Sequence, residues 1–205
     1  MTVTTQRRSK LISVVLIASA VLIGPARGET GLQAAQRGDF ATARAIWTEE
    51  ARAGDPAAAY NLGRMYTNGD GVRRSNQKAF EWYGRAVEGG LAQAQFQVGY
   101  MYAVGEGVQT DLRKAIIWTG RAARQGHAQA RGNLPEMQTY VAASYRSDDQ
   151  DIVRAWGWYS LAGENGSDLG REMARNLRDL MQAQEVRRAE ALLRECRRTG
   201  YVSCD

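Results

Sequence analysis

The chain has 205 residues, of which 27 are basic, 22 acidic, one is histidine and two are cysteine, for a formal net charge of +5. Four of the basic residues (Arg7, Arg8, Lys10 and Arg27) and none of the acidic ones precede Glu29, so the chain from Glu29 onward stands near neutrality at +1. That balance speaks against a nucleic-acid binder, and a single histidine with two distant cysteines cannot supply a conventional zinc site.

Arg7, Arg8 and Lys10 form a basic head, Leu11 to Gly24 an apolar run of 14 residues, and Ala26-Arg27-Gly28 a small-residue exit. This is the pattern of an export signal. The run falls short of the ~18 residues needed to cross a bilayer, so cleavage after Gly28 is expected, placing the mature chain in the periplasm or outside the cell. An uncleaved segment anchoring the protein in the inner membrane is the alternative. Ser9 and Lys10 follow the Arg7-Arg8 pair where a twin-arginine signal would turn apolar, which favours general secretion. No cysteine follows the run to carry a lipoprotein anchor.

Residues 29–54 read as a helical hairpin with its turn at Gly38-Asp39-Phe40, and Trp47 and Ala51 on its second helix. From residue 55 a unit of 36 residues is spelled twice, over 55–90 and 91–126. Ala58, Leu62, Met65 and Tyr66, echoed by Ala94, Val98, Met101 and Tyr102, follow the i, i+4, i+7, i+8 spacing of one helix face. Gly69-Asp70-Gly71 and Gly105-Glu106-Gly107 break that pattern as turns. Ser75 and Asp111 then stand where a short oxygen-bearing side chain caps a second helix. That helix carries Ala79, Trp82, Tyr83 and Ala86, or Ala115, Trp118, Thr119 and Ala122, and ends at Gly89-Gly90 or Gly126. Gly63 and Gly99 interrupt the first helix, where glycine costs about 1 kcal/mol relative to alanine. Close approach of the second helix is the expected reason, with Trp82 and Trp118 filling the repeat cores. A fixed period of this size marks a stacked array, because one unit cannot bury its apolar face alone.

The pattern Ala-x3-Leu-Gly-x-Met-Tyr-x2-Gly-x-Gly-Val, followed by Lys-Ala-x2-Trp and Ala-x3-Gly, closely resembles the Sel1-like repeat, a relative of the tetratricopeptide repeat. The resemblance covers both full units and implies an all-α fold, an α-solenoid of stacked antiparallel helix pairs. It also implies a bacterial exported protein that acts as a scaffold or adaptor.

A third unit, 127–166, begins with Ala128 and Ala130 and then departs. Pro135 stands at the place of Gly63 and Gly99, so its first helix is expected to kink, or to restart with Pro135 in its first turn. Asp151, Ala155, Trp158, Ala162 and Gly166 restore the second helix, displaced by four residues that fit the polar stretch 146–150. The tail, 167–205, has helical spacing throughout, with Leu169, Met173, Leu177 and Leu180 on one face, and reads as a helical cap closing a single elongated domain. In an oxidising compartment Cys196 and Cys204 can bridge across their eight-residue separation; two free thiols are the alternative.

No catalytic constellation is legible. The Gly-x-Gly pairs lack the third glycine and the Lys-Ser/Thr of a phosphate cradle, no serine lies in a nucleophile elbow, and no cofactor, nucleotide or metal is implied. The aromatic residues at 47, 82, 83, 118, 158 and 159 keep helical register with the alanines and read as core; Trp156 is out of that register.

Once the core face of the first helix is assigned, with Tyr60 and Phe96 packing on the preceding unit, a stripe is left over. It comprises Asn61 and Arg64, with Gln93, Gln97 and Tyr100 as the counterpart one unit later. Aligned along a concave surface, these side chains offer hydrogen bonds, a charge and an aromatic face to a partner. They also fit the solvated side of an amphipathic helix. The expected partner is another protein of the envelope or membrane, bound by a monomer. A carbohydrate or peptidoglycan binder is the second reading, and a hydrolase such as a β-lactam-acting relative the third.

Overall fold

The computed structural model describes residues 28–145 and 151–204, and among them every regular element is a helix. The export signal, apart from Gly28, and the polar stretch 146–150 lie outside the described residues. The helices are α1 (Gly31–Gln36), α2 (Phe40–Arg52), α3 (Pro56–Asn68), α4 (Asn76–Glu88) and α5 (Ala92–Val104), then α6 (Leu112–Arg124), α7 (Ala128–Tyr145), α8 (Ile152–Glu164), α9 (Asp168–Leu180) and α10 (Ala183–Thr199). Their starts are written locally. Ser75 accepts from the Lys78 amide at 3.3 Å and Asp111 from the Lys114 amide at 3.0 Å, each removing one orphan donor from a helix N-terminus. The Lys114 amide holds the Asp111 carboxyl below its usual range. Thr30, Asp39, Asp55 and Ser167 cap α1, α2, α3 and α9 in the same manner. His127 accepts from the Ala130 amide at the start of α7 and stacks on Phe96.

The helices pair as α1 with α2, α3 with α4, α5 with α6 and α7 with α8, and each second helix then packs on the first helix of the next pair. This is an α-solenoid. Within a pair the approach is set by the repeated glycines: a Cβ on Gly63 would lie 2.5 Å from the Tyr83 ring, and one on Gly99 2.5 Å from Thr119 Oγ1. Between units the Gly-x-Gly turn does the stacking. A Cβ on Gly107 would lie 2.5 Å from the carbonyl carbon of Asn76 at the start of α4, and Gly71 abuts Phe40 at the start of α2 in the same way. Asn76 and Phe40 are themselves 36 residues apart, so the same contact recurs. Both turn glycines also have positive φ, 63° at Gly71 and 74° at Gly107, which side chains reach only with strain.

The cores are built of alanines at the crossings and a few large groups. Tyr83 is buried against Gly63, and its hydroxyl lies 3.1 Å from Thr67 Oγ1; burial raises its pKa. Trp82 and Trp118, expected to fill these cores, are instead half-buried, with Arg85 and Arg121 lying over their rings at 4.6 and 4.4 Å. The next residue, Tyr83 or Thr119, takes the core position because it is the one that meets the glycine. Tyr60 and Phe96 also point elsewhere than expected. Tyr60 packs on Tyr83 of its own pair and Phe96 on His127 at the start of the next, so both look along the chain rather than back.

In the third unit α7 runs unbroken through Pro135, so the helix does not restart there. Thr139 donates its hydroxyl to the Pro135 carbonyl at 2.8 Å. The tail is helical, as two helices. It breaks at Met181-Gln182, where the Gln182 amide donates to Glu185 in a capping box, and α9 and α10 both pack on α8. Leu177 is buried and Met173 half-buried, whereas Leu169 and Leu180 are exposed, because the face of α9 that carries them has no helix against it among the described residues. Trp156 is half-buried beneath Arg178.

Cys196 at the end of α10 is disulfide-bonded to Cys204, with Cα atoms 4.5 Å apart, and both sulfurs sit in the C-terminal core with Trp158 and Leu193. Closing so short a loop is worth about 2 to 3 kcal/mol by chain entropy. Thiol counting on the oxidised, denatured protein should therefore find none. Reduction should free the residues after α10, read as faster amide exchange there, while total helicity is kept.

Candidate functional site

Exposed apolar groups scattered singly on a surface carry no meaning, whereas a row of them does. The described residues have seven exposed large hydrophobics: Leu32, Tyr100, Val104, Tyr140, Leu169, Leu180 and Val202. Counted from the residue that begins each first helix (Thr30, Asp55, Leu91, His127 and Ser167), the first six stand at the second, ninth or thirteenth place. Steps of seven and four residues are close to whole turns, so these places form one stripe along the helix. Since units stack in register, the stripes of α3, α5, α7 and α9 lie side by side.

Across this face the chemistry changes from one end of the array to the other. On α3 the stripe is polar, with Asn61, Arg64 and Asn68. On α5 Gln93 and Gln97 precede Tyr100, 45% exposed, and Val104, 48% exposed. On α7 Asn133 and Glu136 precede Tyr140, which is 66% exposed, and α9 adds Leu169 and Leu180. Asn61, Gln97 and Asn133 hold one place in three successive units, a row of carboxamides that can each donate and accept.

The five stripe residues expected from sequence are therefore all on the surface: Arg64, Gln93 and Tyr100 exposed, Asn61 and Gln97 half-buried. Val104, Tyr140, Leu169 and Leu180 were missed. Carrying the same spacing one more turn along the helix, and on into the third unit and the tail, would have found them. Cys196 and Cys204 lie away from this face, on α10 and beyond it.

Among the described residues no three metal-ligating side chains come together, and no helix is long and apolar enough to cross a membrane.

No curated protein matches the chain. Among solved structures it is similar to a Sel1 repeat protein from Oxalobacter formigenes, 26% identical over 81% of this chain and 73% of that one, with a TM-score of 0.49. It is also similar to c5321, a protective antigen present in uropathogenic Escherichia coli strains and displaying an SLR fold. That protein is 27% identical over 80% of this chain, which spans 39% of its length, with a TM-score of 0.45. The model of the Sel1 repeat matches residues 56–91, 92–127 and 135–167, more than half of the chain; the first two matches cover the glycine-set pairs α3–α4 and α5–α6, and the third starts at Pro135 within α7. The chain belongs to the Sel1 repeat family.

Proposed function

We propose that the protein is a non-catalytic scaffold of the bacterial envelope that binds a partner protein through the exposed stripe of its first helices. Sel1 repeats generally mediate protein–protein interaction, and proteins built from them are typically non-catalytic scaffolds. The observation that carries the reading to this face is that five of the seven exposed large hydrophobics among the described residues lie on it, on α5, α7 and α9. Their neighbours suit an interface. Tyrosines and an arginine are favoured anchors, and the carboxamides of Asn61, Gln97 and Asn133 can pair with the backbone of a bound segment. Placement in the envelope is supported by the basic head and apolar run of residues 1–28 and by the Cys196–Cys204 bond, which an oxidising compartment preserves.

The test is cross-linking in intact cells, followed by fractionation and mass spectrometry of what is trapped on the protein. Arg64→Ala, Tyr100→Ala and Tyr140→Ala combined should reduce recovery of the trapped partner by about tenfold or more, as anchors worth over ~1 kcal/mol each would. Helicity and melting should be unchanged, because all three side chains are exposed. Undiminished capture would move the binding surface off this face, and recovery of the wild-type protein in the cytosol would overturn the envelope reading.

A further inference from the structure

From Cys196 to Cys204 the chain is a closed loop whose backbone is unusual at one residue. α10 ends in a glycine cap, where Gly200 turns at a φ of 65° and the Tyr201 amide donates to the Cys196 carbonyl at 2.9 Å. Tyr201 continues the left-handed turn at 73°, and it is the one residue with positive φ among those described that is not glycine. Two left-handed residues in succession reverse the chain. The Ser203 amide then lands on Thr199 Oγ1 at 3.0 Å, and Cys204 reaches Cys196. A tyrosine keeps that conformation only when its surroundings hold it there. Two constraints do so here, the Cys196–Cys204 bond and the seat of the tyrosine ring.

The ring sits on α6. A Cβ on Gly120 would lie 2.6 Å from Tyr201 Cδ2, and the Arg124 guanidinium lies against Gly200, 5.6 Å from the ring centre. Asn165 Nδ2 donates to the tyrosine hydroxyl at 3.4 Å. Gly84 of α4 holds the same place one unit earlier, 36 residues before Gly120, and there nothing lies within 4 Å of where a Cβ would stand. The tail thus covers in one unit a place that stays open in another. Since α10 itself packs on α8, Tyr201 carries the cap one unit further back along the array.

We infer that the tail is a redox-operated strap: oxidation of Cys196 and Cys204 seats Tyr201 on Gly120 and ties the C-terminal cap to α6, and reduction unseats it. The chemistry is thiol–disulfide exchange. The two thiols give up two protons and two electrons as their S–S bond forms, and the disulfide of an oxidant such as glutathione disulfide is cleaved to two thiols. Both sulfurs are buried, Cys196 at 1% and Cys204 at 5% exposure, so a reductant reaches them only after the loop opens. Opening the loop lifts Tyr201. Bond and seat are therefore coupled in both directions: weakening the seat favours the dithiol, and losing the bond weakens the seat, by the same factor. Reduction accordingly acts beyond the tail itself, on the last turn of α6 that carries Arg124 and on Asn165 at the end of α8. The coupling lies within the chain and holds in whichever compartment the protein resides, so it does not rest on the envelope reading.

Gly120→Ala separates the strap from ordinary packing, because the sign of its effect depends on the bond. Alanine is the better helix former, so in the reduced protein the substitution should raise the melting temperature. In the oxidised protein its Cβ pushes against a ring that the bonded loop cannot withdraw, and the melting temperature should fall. Gly84→Ala, with open space at the same place, should raise it in both states. Equilibrated in a glutathione buffer, Gly120→Ala and Tyr201→Ala should each shift the ratio of disulfide to dithiol toward dithiol by about fivefold or more, with helicity unchanged. On reduction of the parent protein, amide exchange should quicken in the last turn of α6 as well as in the tail. Gly120→Ala acting with the same sign in both redox states, a ratio within about twofold of the parent in both variants, or exchange in α6 that ignores reduction would each overturn the strap.

Discussion

Gly99→Leu should lower the stability of the protein by more than about 3 kcal/mol, at or beyond the upper end of what overpacking usually costs. The reason is what the new side chain would meet. A Cβ alone at Gly99 would lie 3.0 Å from the Thr119 amide nitrogen and 3.1 Å from the Ala115 carbonyl oxygen, both backbone atoms of α6. Backbone inside a helix cannot swing aside, so α5 and α6 must separate. At Gly63 the obstacle is the Tyr83 ring, which is buried and bonded to Thr67 but can rotate in part, so Gly63→Leu should cost somewhat less. Gly84 supplies the control. It lies inside α4 with nothing within 4 Å of the place a Cβ would take, so Gly84→Ala should stabilise by about 0.5 to 1 kcal/mol through helix propensity. Urea melts of the three variants check the order. A Gly99→Leu protein as stable as its parent would mean that the pair contact is not set by that glycine.

The repeat made the fold legible because its devices are local and written twice. Caps at Ser75 and Asp111, turns at Gly71 and Gly107 and close approaches at Gly63 and Gly99 each leave a residue type that only one backbone situation favours. What sequence spacing did not resolve was which of two neighbouring residues enters a core. Trp82 and Tyr83 differ by about 100° around α4, and both lie close enough to the apolar side for periodicity to admit them. The glycine opposite decides it, and that is a contact between helices. The same limit applies to Tyr60 and Phe96, whose direction along the array depends on how one unit stacks on another. The stripe was half legible. Its polar residues were found on α3 and α5, but its apolar part runs through α7 and α9, where the repeat is degenerate and the spelled pattern no longer guides the eye. The return of the tail onto the array was not legible at all, since Tyr201 meets Gly120 of α6 across eighty-one residues of chain.

Trp158→Ala should cost about 3 to 5 kcal/mol, whereas Trp82→Ala and Trp118→Ala should each cost about 1 to 2, although all three tryptophans hold the same place in their units. Trp158 is 2% exposed and sits in the C-terminal core with Leu161, Leu193 and the Cys196–Cys204 pair, so its removal leaves a cavity that α10 and the bonded tail are too constrained to close. Trp82 and Trp118 are half-buried at the margins of their cores, with the guanidinium groups of Arg85 and Arg121 over their rings, so truncation there exposes the site to water instead of emptying it. The difference follows from α10 returning onto α8, so the cap converts one repeat's surface tryptophan into a core residue. The Trp158 indole nitrogen is buried without a hydrogen-bond partner, an arrangement that itself costs stability. Trp158→Phe removes that donor along with part of the volume, and should recover most of the loss seen with alanine. Chemical denaturation of the four variants measures the ordering, with tryptophan emission of Trp82→Ala and Trp118→Ala reporting that the remaining rings are undisturbed. Equal costs at 82, 118 and 158 would mean that α10 adds nothing to the burial of α8 and that the cap packs elsewhere.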